Sequence, residues 1–70
     1  MKIFANDEVI ISMENVRRVN AGVCSPGRKD ENNYIFITYT NDREERLYYG
    51  KDKDTRNKDF KNMKEILEED

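Results

Sequence analysis

The stretch YIFITYT, Tyr34 to Thr40, decides the fold, because it alternates in period two without offering a polar side. In an extended strand Ile35, Ile37 and Tyr39 point one way, and Tyr34, Phe36, Thr38 and Thr40 the other. An antiparallel strand with one solvated face carries polar residues at every second position. Here either both sides are covered, or one of them is a surface made for contact.

Working outward, the turn formers NDRE lead into ERLYYG, which has Leu47 and Tyr49 on one side and Arg46 and Tyr48 on the other. Two aromatic-rich, β-favouring runs joined by turn residues read as a hairpin. Upstream, VRRVNAGV alternates as well, with Val19, Ala21 and Val23 on one side and Arg18 and Asn20 on the other, and reads as a third strand. CSPGRKDENN between them holds the Pro26-Gly27 turn pair and no apolar side chain after Cys24, so a solvated, mobile loop is expected. The opening MKIFANDEVII places two short apolar runs around Asn6-Asp7 and reads as a tight hairpin. SMENV, with Met13 and Val16 three apart, fits a single helical or 3₁₀ turn as a connection.

After Gly50 the period changes. KDKD, residues 51–54, reads as a polar linker ending in Asp54, a good helix N-cap. Phe60, Met63, Ile66 and Leu67 then recur at three- and four-residue spacing, with Lys58, Lys61, Lys64, Glu65 and Glu68 on the remaining face, so residues 55–69 form an amphipathic helix. At about 1.5 Å per residue such a helix reaches roughly 21 Å, the width of about four strands. Glu68, Glu69 and Asp70 sit at the negative end of its dipole, which frays the last turn.

The expected fold is therefore α+β: an antiparallel sheet of four to five strands over residues 1–50, with one C-terminal amphipathic helix packed on one face, in a single domain spanning residues 1–70. The helix belongs on the more aliphatic side, so Val19, Val23, Ile35, Ile37, Tyr39, Leu47 and Tyr49 should face Phe60, Met63 and Leu67. Phe60, the first large apolar residue of the helix, should anchor it near Ile37 and Leu47. Tyr34, Phe36, Thr38 and Tyr48 are left on the other side, joined by Ile10 or Phe4 from the first hairpin.

Composition narrows the function. The chain has 70 residues, 40% of them charged, with a net charge of -2 and acids and bases interleaved, so it carries no field of one sign. It contains one cysteine, Cys24, and no histidine, which removes an internal disulfide and the usual zinc sites. DKDTRNKDFKNM opens like a calcium loop, but Asn57 stands where glycine is needed and Met63 where the closing glutamate belongs. No glycine-rich phosphate loop and no nucleophile beside a base is present, so no catalytic residue, cofactor, metal or small-molecule substrate is expected. No run approaches the roughly 18 apolar residues that span a bilayer, and no signal-peptide pattern opens the chain, so a cytoplasmic, non-membrane protein is expected.

The succession EVIISMENVRRV, YIFITYT, ERLYYGKD and FKNMKEIL resembles small uncharacterised proteins of low-GC Gram-positive bacteria and their phages and mobile elements. The likeness rests on the apolar spacing around the Asn15-Val16 step and on the terminal helix. It implies a curved sheet, similar to half of a pleckstrin-homology-like fold, closed by one helix. It assigns no catalytic residue.

What remains is an aromatic stripe, Tyr34, Phe36 and Tyr48, with Arg18 and Arg46 beside it and Arg17 and Arg43 nearby. The expected function is a non-enzymatic interaction module that self-associates, or binds a protein partner, through this sheet face or a strand edge. Single-stranded nucleic acid on the same face is the alternative, since rings stack on bases while cations hold phosphates.

Overall fold

YIFITYT becomes the middle strand of a three-stranded antiparallel sheet. The computed structural model describes residues 2–69, so the expectation for Asp70 lies outside the described residues. Along the chain the elements are β1 (Ile3–Ala5), β2 (Ile10–Ser12), a 3₁₀ turn at Met13–Asn15, β3 (Val16–Cys24), β4 (Asn32–Tyr39), β5 (Glu44–Gly50) and α1 (Lys53–Glu68). All strand pairs are antiparallel, and the class is α+β, with α1 packed against the larger sheet.

The local chemistry explains the turns. Asn6 bends the first hairpin by accepting from the amides of Glu8 and Val9 at 2.8 and 2.9 Å through its side-chain oxygen. Between β3 and β4, Gly27 takes a positive φ of 78°, which costs glycine little, and its amide donates to the Glu31 carboxylate at 2.8 Å. Before α1, it is Asp52 that caps the helix, two residues ahead of the expected Asp54: its side chain accepts from the Thr55 amide at 3.0 Å and the Thr55 hydroxyl at 2.7 Å. These bonds, the hydroxyl first, hold the Asp52 carboxyl below its ordinary range.

The strands divide into two sheets, β1-β2 and β3-β4-β5, where a single sheet was expected. The 3₁₀ turn is the reason. Met13 is buried there, and its amide donates to the Lys2 carbonyl at 2.9 Å, so the chain turns away before it can continue the larger sheet. The short ribbon instead folds over the face that α1 covers. Phe4 and Ile11 thereby join Met13, Val16, Ile35, Ile37 and Met63 in one core cluster. Of the two residues left open, Ile10 or Phe4, it is Phe4 that turns inward, at 1% exposed, while Ile10 is 78% exposed.

The helix contact also shifts. Met63 is fully buried, whereas Phe60 is half-buried at the edge of the core, with the Lys64 ammonium 5.1 Å from its ring centroid. Val23, expected inward, is 39% exposed near the end of β3. Thr38 is buried although it belongs to the opposite side.

Two polar ties hold the helix in place. Arg56 is 7% exposed and donates through one guanidinium nitrogen to the carbonyls of Gly22 at 2.6 Å and Tyr34 at 3.4 Å, with a further bond to Asn57. Carbonyl oxygens thus take the place of a counter-ion for a cation that would be costly to bury alone. At the other side of the core the Tyr49 hydroxyl donates to Asp59 at 2.9 Å, and Asn6 donates to the same carboxylate oxygen at 3.4 Å. That carboxylate joins β5, α1 and the first turn.

This arrangement predicts steep alkaline unfolding. Burial, then the bond to Glu45, pushes the Tyr39 hydroxyl up to about 12, and burial, then the bond to Asp59, pushes Tyr49 up as well. The unfolded chain releases these protons near the ordinary value of 10.0, so above it the unfolded state binds fewer protons and stability falls. The contribution is intact below about pH 10 and is lost as pH rises towards 12. Circular dichroism against pH should show the loss beginning above 10, and Tyr49→Phe, which cannot ionise, should flatten it. An unchanged slope in that variant would contradict the assignment.

An aromatic and cationic sheet face

Strand register places the expected contact residues together. Tyr34 of β4 lies opposite Tyr48 of β5 and Gly22 of β3; Phe36 lies opposite Arg46 and Asn20; Thr38 lies opposite Glu44 and Arg18. Since alternate residues share a face, Arg18, Tyr34, Phe36, Arg46 and Tyr48 all occupy the side of the sheet away from α1.

Their side chains form a layer. The Arg46 guanidinium carbon lies 5.6 Å from the Tyr34 ring centroid and 5.1 Å from that of Phe36, both within cation–π range. Tyr48 meets Tyr34 edge to face, with centroids 6.3 Å apart and planes at 61°. Tyr34 and Phe36 are half-buried by these contacts and Tyr48 is 53% exposed. Arg18 is exposed on β3, across Thr38 from Glu44.

Gly22 is the residue that the sequence pattern did not flag. A Cβ there would come within 2.5 Å of the Tyr34 Cζ and hydroxyl oxygen, so the outer end of that ring rests on β3 where the strand has no side chain. A glycine inside a strand pattern is a sign of such close approach. On the opposite face Arg56 bonds the Gly22 carbonyl, so one residue seats the aromatic layer above and the helix below.

The remaining basic residues near the face lie apart from it. Arg17 sits at the bulge between Val16 and Arg18 and pairs with Asp42 at 3.0 Å, in an exposed ion pair of small energetic weight. Cys24 is exposed at the end of β3. Among the described residues no group of three histidine, cysteine, aspartate or glutamate side chains is placed to hold a metal ion, and no helix is long and apolar enough to cross a membrane.

Fold and site together define a small α+β protein whose helix and ribbon cover one face of an antiparallel sheet and leave an aromatic, cationic face outside. Compared with family models, curated proteins and solved structures, the chain matches none.

Proposed function

We propose that this chain is a non-enzymatic interaction module that associates with a second copy of itself through the open face of Tyr34, Phe36, Tyr48, Arg18 and Arg46. The observation that carries the reading is the Arg46 layer. A cation already resting on two rings makes a preorganised, low-entropy surface, with Tyr48 standing beside it as an exposed anchor. Tyrosine and arginine are the residue types that dominate contact energies at protein interfaces. A chain of this size buries only about 60% of the surface its unfolded form exposes, so covering the face with another copy adds apolar burial that the monomer lacks.

The same face carries a second reading, single-stranded nucleic acid, because Arg18 and Arg46 share it with the rings. Arg46 weighs against this, since it occupies the ring surface on which a base would stack. Fluorescence anisotropy with a labelled oligonucleotide at low salt separates the two: binding that weakens steeply with salt would favour nucleic acid.

Sedimentation velocity tests the first reading. At about 1 mM, where an association worth only about 4 kcal/mol is half-complete, the wild-type chain should sediment as a dimer. Tyr48→Glu, an exposed position whose change leaves the core untouched, should sediment as a monomer at the same concentration. A wild-type chain that stays monomeric throughout would sink self-association.

A further inference from the structure

Two depressions of about 880 and 500 Å³ lie between β5 and the first hairpin and share Val9; the first extends to Asn15 and Tyr39, the second to Thr55 and Asp59 of α1. One wall is β5 itself, from Glu44 and Glu45 in the first to Leu47, Tyr48 and Tyr49 in the second. The other wall is the first hairpin, from Asn6 to Ser12. Meeting at Val9, they make a groove that touches β5 at Glu44, Glu45, Leu47, Tyr48 and Tyr49.

Both strands that flank this groove have a free edge. β5 is bonded only to β4 and β2 only to β1, and among the described residues no backbone hydrogen bond joins the two across the gap. An unpaired edge offers a row of amides and carbonyls that another extended chain can complete. The apolar lining is Val9 in both depressions, Ile10 in the first and Leu47 in the second, and Ile10 is 78% exposed. The lining is acidic: Asp7, Glu8, Glu44 and Glu45 are exposed in it, Asp52 and Asp59 line it while bonded to Thr55 and Tyr49, and the cations are Arg43 and Lys58.

We infer that this groove receives an extended, basic polypeptide segment of a partner protein, which adds to the edge of β5 as a further strand. Backbone bonds to β5 supply the register, alternate apolar side chains of the segment settle against Ile10 and Leu47, and its lysines or arginines meet the acidic rim. A strand matching the seven residues of β5 spans about 23 Å, which sets the length of the segment at about seven or eight residues. The groove meets the aromatic layer at Tyr48 but does not include Tyr34 or Phe36, and its occupant differs from the second copy proposed for that face.

The test is a titration of the full chain, held dilute, with a capped peptide of about eight residues alternating lysine and valine, followed by amide chemical shifts and hydrogen exchange. The alternate β5 amides that point away from β4 should shift and gain protection, and Glu44→Lys should weaken binding about threefold to tenfold, as expected for reversing a rim charge. The same peptide with alternate backbone nitrogens methylated keeps its charge but cannot extend the sheet, and should not bind. Equal binding of the methylated peptide would mean a polycation held by surface charge alone and would overturn the proposal. So would equal binding of a glutamate–valine peptide, or the absence of any β5 response to the lysine–valine peptide at about 1 mM.

Discussion

Phe4→Ala is expected to leave most of the chain unfolded. The side chain is 1% exposed in the three-residue strand β1, where its ring fills the space between the ribbon and the sheet. Truncating a buried phenylalanine costs about 3 to 5 kcal/mol, from lost transfer energy and the cavity left behind. The core of a domain this small supplies about 3 to 5 kcal/mol in all. Ile10→Ala, removing a side chain that is 78% exposed, should change stability by about 0.5 kcal/mol or less. Thermal melts of the two variants decide the matter. Equal, small effects would mean that the ribbon does not seal the core.

Met63→Ala should be nearly as damaging, at about 2 to 5 kcal/mol, because Met63 is the helix residue that reaches the centre of the cluster beside Ile35 and Ile37. Phe60→Ala should cost less despite the larger side chain, since the ring is half-buried and shares its outer surface with Lys64. Urea unfolding of both variants gives the order. A larger loss at Phe60 than at Met63 would show that the helix packs with a different rotation.

The main part of this architecture could be read directly from the chain. The alternation of Tyr34 to Thr40, together with that of Leu47 to Tyr49 and Val19 to Val23, assigned each residue a side, and the register pairs Tyr34 with Tyr48 and Phe36 with Arg46 on the side so assigned. Helical spacing put Phe60, Met63, Ile66 and Leu67 on one face, and all four belong to the core or pack against it. The first hairpin was harder. Its strands are three residues long with apolar residues on both sides, so alternation could not say whether Phe4 or Ile10 turned inward. The answer depends on the bend at Met13, a tertiary event.

Arg56 was illegible for a related reason. On a helix with several lysines it looks like one more solvated cation, and it is buried only because the carbonyls of Gly22 and Tyr34, 34 and 22 residues away, converge on it. The groove beside β5 likewise requires two strand edges to meet without pairing, which no local pattern encodes. The calcium-like start at Asp52 has a plain local role as a helix cap.

One sheet face is sealed by helix and ribbon and the other is open in the monomer, where a second copy is proposed to cover it. Nuclear magnetic resonance with a soluble paramagnetic relaxation agent, repeated from dilute to concentrated protein, measures this directly. In dilute solution the Tyr48 ring protons should relax fast and the methyl groups of Ile35, Ile37 and Met63 slowly, and the Tyr48 enhancement should fall as concentration rises. Enhancement at Tyr48 that stays constant across the whole concentration range would rule out the second copy, and strong enhancement at Ile35 and Ile37 would rule out the sealed face.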